Sequence, residues 1–309
     1  MIGNITMAAS DFKTIKNILR KKYRVENGKH FSLADYDPAD IGGLSLDKKQ
    51  GKKLLEKRIQ TLNNLQELLY ANGKCGLMVV LQGLDTAGKD GTIKHVTSGL
   101  NPQGIHVASF RQPGPVELEH DYLWRIHVAV PARGHIGIFN RSHYEEVLVT
   151  KVHSSILNNQ KLPQWALNDV DFWQHRYEDI VNFEKYIHHQ GIAIVKFFLN
   201  ISKEEQRIRL LARLDNKEKQ WKFSPNDPKE RQFWEQYQAA YQTAIAQTSF
   251  PHAPWIIVPA NNKWYAHLVV IECLINALEN LNLTVPKPKP EITDSIEQLK
   301  AELGEDTSK

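Results

Sequence analysis

The segment Met78–Val96, MVVLQGLDTAGKDGTIKHV, constrains this chain more than any other stretch. Its apolar start, Leu77–Leu81, has the length and branching of a buried strand and runs straight into a glycine turn. The turn reads Gly83-Leu84-Asp85-Thr86-Ala87-Gly88-Lys89, a glycine, four residues, then glycine and lysine. Glycines let backbone N–H groups turn inward and approach phosphate oxygens closely. A helix starting near Gly88 adds the positive end of its dipole, and Lys89 adds an ammonium. The standard phosphate-loop pattern places Ser or Thr after the lysine to hold magnesium. Here that position is Asp90, followed by Gly91 and Thr92. The predicted phosphate cradle is therefore Gly83, Ala87, Gly88, Lys89, Asp90, Gly91 and Thr92. The plainer reading is an ordinary strand–turn–helix.

Strands and helices alternate through the rest of the chain, which predicts an α/β fold, a parallel sheet flanked by helices. Further strands are expected at Ile105–Phe110, Gly134–Arg141, Ile192–Leu199 and Pro254–Val258. Helices are expected at Asp11–Tyr23, Leu46–Tyr70, from Gly88 to about Gly99, and over Glu117–Val130, Asn168–His188, Glu230–Gln247 and Tyr265–Leu281. Residues 1–45 read as an N-terminal arm, extended from 24 onward. Residues 46–283 read as one phosphate-loop domain, and 284–309, with three prolines and a charged end, as a flexible tail. Ser202 with Glu205 forms a capping box that opens a helix bearing Arg207, Arg209 and Arg213. A polar loop punctuated by Pro225 and Pro228 follows it. That combination predicts a mobile lid over about 203–229, closing to exclude water. Arg207 is read as a solvated surface residue, whereas Arg209 and Arg213 are read as phosphate contacts.

Ligands of open α/β sheets bind beyond the carboxyl ends of the strands. Arg111, after the second strand, is therefore a candidate anion contact, and Arg125, beside Trp124, is a second. Asn140 and Arg141 close the third strand. The asparagine can ligate or hydrogen-bond without charge, and the arginine can fork onto phosphate oxygens. Ser142 and Glu145 have capping-box spacing.

The chain has 309 residues, 41% hydrophobic and 24% charged, with a net charge of +4. Its size supports a substantial core, and the mild basicity favours a polyanionic substrate. No RNA-binding or helix-turn-helix signature points to nucleic acid. No apolar run approaches membrane-spanning length, and no secretory signal is visible. Cys75 and Cys273 are the only cysteines, without disulfide or zinc spacing, so a cytoplasmic location is expected.

Four features coincide: the Gly83–Lys89–Gly91 loop, Phe139-Asn140-Arg141-Ser142 with Tyr144, the segment Trp221–Asp227, and Ala253-Pro254-Trp255. Together they resemble polyphosphate kinase family 2, over about residues 30–282. The form G-x-D-x-x-G-K-D-G fits that family better than the standard phosphate loop. The resemblance implies a P-loop kinase-like sheet and phosphoryl transfer between inorganic polyphosphate and AMP, ADP or ATP. It implies Mg2+, with Mn2+ as a substitute, held by Asp85. It implies Asp85, Lys89, Asn140 and Arg141 as catalytic residues, and Asp85, Asn140 and Glu145 at the nucleotide. Arg209, Arg213, Lys219 and Lys222 would contact polyphosphate. Many members carry aspartate where this chain has Asn140. The Asn-Arg-Ser-His-Tyr-Glu form looks like the class III branch, which accepts both AMP and ADP. A homo-oligomer, dimer or tetramer, is expected on the same basis. Two other readings are an ATP-dependent nucleoside monophosphate kinase and a non-catalytic P-loop protein that binds polyanions.

Overall fold

A computed structural model describes residues 17–44 and 48–305. Residues 17–21 form a helical turn, α1. The first part of the helix expected over Asp11–Tyr23 lies outside the described residues, as does Leu46. In chain order there follow β1 (Arg24–Val25), α2 (Lys48–Asn72), β2 (Gly76–Gln82), α3 (Lys89–Thr97), β3 (Ile105–Ser109), α4 (Trp124–Val128) and β4 (Ile136–Asn140). Then come α5 (Val149–Val152), α6 (Gln164–Leu167), α7 (Phe172–His189), β5 (Ile192–Asn200), α8 (Lys203–Asp215), α9 (Asp227–Glu230) and α10 (Trp234–Thr248). β6 (Trp255–Pro259), α11 (Lys263–Glu279) and α12 (Pro290–Glu305) complete the chain.

The strands form one six-stranded sheet in the order β1-β6-β5-β2-β4-β3. All neighbours are parallel except β1, which runs antiparallel to β6. The glycine-loop strand β2 lies inside the sheet and is buried along its whole length. Leu77, Val79 and Leu81 pack into one core with Leu62, Leu69, Val269 and Leu274 from α2 and α11. Met78 and Val80 pack into the other with Ile180, Phe183, Tyr241 and Ile245 from α7 and α10. A strand covered on both faces needs an unbroken apolar run, which is how this one reads.

Several local expectations change. The helix expected over Glu117–Val130 is broken into a 3-10 turn at Glu117–Glu119 and the short α4. Between them His120 is extended and the Asp121 carboxylate accepts from the Leu123 amide at 2.9 Å. A short acidic side chain competes in this way with the helical hydrogen bonds. The stretch expected to be an extended arm is tied to the domain. Ile257 donates its amide to the Tyr23 carbonyl at 2.9 Å, and the Tyr23 and Tyr265 hydroxyls meet at 2.7 Å. A helix, α12, forms within the charged C-terminal segment. Among the described residues no helix is long and apolar enough to cross a membrane.

Candidate active site

The carboxyl ends of β2 and β4 lie side by side, Leu81 level with Asn140, so the glycine loop and the Asn140-Arg141 pair share one edge. Gly83 has φ 159°, and a Cβ there would sit 3.1 Å from Leu199. Gly88 caps α3 with φ 113°, a backbone that other residues rarely adopt. Thr86 and Arg141 take positive φ, 65° and 63°, without being glycine. Such outliers persist only where surrounding structure fixes them.

Lys89 donates to the carbonyls of Gly83 and Leu84 within its own loop. Burial, and then the nearby Arg141 guanidinium, bring its pKa down to about 8. The Asp85, Glu145 and Asp90 carboxylates oppose that drop. Arg141 spans two carboxylates, Asp85 at 3.1 Å and Glu145 at 2.8 Å. Asn140 donates to Asp90 at 2.9 Å, and the Lys222 ammonium lies 3.5 Å from the other Asp90 oxygen. Burial raises the Asp90 carboxyl, but these partners and Lys89 outweigh it and the net shift is downward.

The capping box expected at Ser142 is only half present. Its hydroxyl accepts from the Tyr144 amide at 3.2 Å and opens a 3-10 turn, His143–Glu146. Glu145 is taken by Arg141 instead.

Across the loop, α8 begins at its Ser202 cap and turns Gln206, Arg209 and Leu210 inward. Arg209 donates to the carbonyls of Thr86 and Ala87, both at 3.1 Å, and to those of Ala260 and Asn261 at 2.6 and 2.9 Å. Its Nε meets Glu205 at 2.7 Å. The expected polyphosphate contact is thus a brace that fastens the glycine loop to the ends of β6 and α8. Arg213 donates to the Lys222 carbonyl and lies 3.6 Å from Asp227, so it holds the fold of its own segment. Lys219 is exposed on the lid, and Arg207 pairs with Glu204 at the surface.

Arg111 is exposed at the end of β3. Arg125 is buried and donates to the Arg111 carbonyl at 2.8 Å, with Glu117 and Glu146 within 3.9 Å. It lines a separate cavity rather than the cleft at the phosphate loop.

The cleft between the glycine loop and the α9–α10 region encloses about 40 Å³. Gly83, Asp85, Arg141 and Glu145 line one side, and Asp227, Glu230, Arg231, Trp234, Tyr237 and Tyr241 the other. The second group was not anticipated, since these residues come to the loop only through the packing of α9 and α10. The one available signal was that Asp227 ends the Trp221–Asp227 segment. Burial, with the Asp85 charge adding to it, pushes the Asp227 carboxyl up. Among the described residues no three carboxylate, histidine or cysteine side chains converge as a metal cage. Asp85, within the glycine loop, is the carboxylate that Arg141 holds at 3.1 Å.

Residues 45–286 match the family described as polyphosphate kinase 2 (PPK2). This chain belongs to the polyphosphate kinase 2 family. It is 42% identical to the ADP-polyphosphate phosphotransferase of Rhodopseudomonas palustris, covering 93% of this chain and 99% of that one. It is 46% identical to the AMP/ADP-polyphosphate phosphotransferase of Meiothermus ruber, covering 87% and 96%. The crystal structure of polyphosphate kinase 2 from Arthrobacter aurescens TC1 superposes with a TM-score of 0.83 at 40% identity, covering 92% of this chain and 96% of that one.

Proposed function

We propose that this kinase transfers phosphoryl groups from inorganic polyphosphate to AMP and to ADP, giving ADP and ATP, reversibly. The observation that carries this reading is the gathering of the glycine loop, its Lys89 and the Asp85–Arg141–Glu145 array at one sheet edge, beside a narrow cleft. Phosphoryl transfer needs in-line positioning and charge neutralisation rather than a covalent enzyme intermediate. The acceptor phosphate is ionised near neutral pH, so its oxygen attacks the terminal phosphorus of the chain without a general base. Lys89 exchanges its carbonyl partners for phosphate oxygens, and Arg141 forks onto the transferring group. Lys219 and Lys222, on the exposed side of the lid, steer the polyanion. Magnesium, or manganese in its place, would be held by Asp85 and would neutralise charge on the phosphates. Asn140 leaves the cleft one negative charge poorer than aspartate would, which favours the doubly ionised phosphate of AMP as well as ADP. Two unpaired cysteines fit a reducing cytoplasm. The exposed stripe Ile292, Ile296, Leu299 and Leu303 on α12 supports a homo-oligomer, a dimer or tetramer.

Incubation with magnesium, long-chain polyphosphate and AMP, without ATP, tests the reading by chromatography. ADP followed by ATP is the expected result. ATP formed only when ADP is supplied would remove the AMP half. Phosphorylation of AMP by ATP but never by polyphosphate would replace the reading with that of an ordinary nucleotide kinase.

A further inference from the structure

Arg141 stands beside the glycine loop with φ 63°, a backbone that residues other than glycine rarely adopt. At an ordinary negative φ its side chain would leave the chain in another direction. Hydrogen bonds on both sides hold this backbone. The Arg141 amide donates to the Leu81 carbonyl at 3.1 Å. The next residue, Ser142, accepts at its hydroxyl from the Gln82 side-chain amide at 3.1 Å and from the Tyr144 amide at 3.2 Å. Leu81 and Gln82 are the last two residues of β2 and run directly into Gly83. We propose that Gln82 and Ser142 are positioning residues for phosphoryl transfer, their buried hydrogen bond registering the Arg141 guanidinium against the phosphate loop. The proposal rests on the role given to Arg141 above and deepens it.

Gln82 and Ser142 are both fully buried, and neither lines the cleft, so they act through a neighbour rather than on substrate. Gln82 is a poor choice for stability alone. Its Oε1 is buried and, among the described residues, has no hydrogen-bond partner. An orphaned buried carbonyl costs stability, and a strand covered on both faces otherwise takes apolar residues. What the side chain supplies in return is its Nε2 bond to Ser142. That bond lies one residue from the glycine loop at one end and one residue from Arg141 at the other. The far side of Ser142 is equally firm. Tyr144 is fully buried, its hydroxyl lies 2.9 Å from both Glu184 and the Lys196 ammonium, and its ring meets Trp255 edge-on at 4.7 Å. Before substrate binds, Asp85 and Glu145 also aim the Arg141 guanidinium. Once Arg141 exchanges them for phosphate oxygens, the backbone clamp is what remains to aim it. Its loss therefore falls on the transfer step more than on binding.

The test uses full-length Q82M, S142A and R141A, singly and combined, with polyphosphate, magnesium and ADP. Methionine fills nearly the volume of glutamine, donates no hydrogen bond and removes the orphaned oxygen. The thermal midpoint of Q82M is expected to match or exceed that of the wild type. Its kcat is expected to fall roughly tenfold to a hundredfold, with the KM for polyphosphate changed by less than about twofold. Q82M/S142A is expected to turn over no more slowly than S142A, since the bond is already gone in the single variant. Q82M/R141A is expected to match R141A, because Gln82 acts only through Arg141. Wild-type kcat in Q82M, or an equal fall caused by Q82M with and without Arg141, would overturn the proposal. So would a loss of activity in Q82M that tracks a lowered thermal midpoint, as a bond serving stability alone predicts. R141A with wild-type turnover would remove the role of Arg141 itself, a failure read in a different variant.

Discussion

Lys89 holds its charge against burial by donating to two carbonyls of its own loop, and its pKa of about 8 has consequences of opposite sign. An unfolded lysine keeps its proton to about pH 10.4, so between the two values unfolding takes up a proton. This group's contribution to stability therefore rises with pH across that window. Its hold on phosphate falls over the same range. Polyphosphate binding measured by calorimetry is expected to weaken up to about tenfold from pH 7 to pH 9, one unit above the pKa. K89R, which stays charged, should show a flat profile. K89A should lose roughly a hundredfold or more in turnover, as when a central electrostatic donor is removed, while its circular dichroism is retained. Lys89 and its glycines were legible because their spacing is a local backbone requirement. The role of Arg209 was not, because its acceptors are carbonyls at residues 86, 87, 260 and 261, which no spacing along the chain brings together.

At the scale of elements, α8 is tied to the glycine loop through Arg209. Removing the Arg209 side chain strands several inward carbonyls and the Glu205 carboxylate. R209A is expected to cost about 3 kcal/mol in urea unfolding, in the range for a broken buried network. A midpoint unchanged from the wild type would show that the brace carries no energy. β5 presents a comparable case. Lys196 is fully buried in an apolar strand, donating to Glu184, to the Tyr144 hydroxyl and to the Thr248 carbonyl. K196M removes the cation paired with the buried Glu184 and leaves it only Tyr144 and His143, an expected loss of about 3–5 kcal/mol. The double variant E184L/K196M should recover most of it, and a double as unstable as the single would contradict this account. The strand itself was legible from Ile192–Leu199, but a lysine inside an apolar run gives no sign that its partner sits on the preceding helix. The single helix expected at Glu117–Val130 failed for a related reason, since the competing Asp121 turn is a side-chain effect on a favourable helical pattern.

On the scale of the whole molecule, five parallel strands and the glycine loop at their carboxyl edge followed from alternation and periodicity. The sixth strand did not, because two residues, Arg24–Val25, carry no period of their own. That short strand decides how the protein behaves when shortened. It covers the backbone of β6 at Trp255 and Ile256, and Tyr23 fills the space beside Tyr265. A chain begun at residue 46, close to where the family match starts, would bare an apolar strand with unpaired amides and carbonyls. Such an edge is a template for strand addition from another chain. The shortened protein is expected to self-associate into sheet-rich aggregates, detected by light scattering and dye binding, whereas a cut after residue 283 leaves both edges as they are and the protein dispersed. Two residues of arm thus act as a guard against polymerisation as much as a part of the kinase.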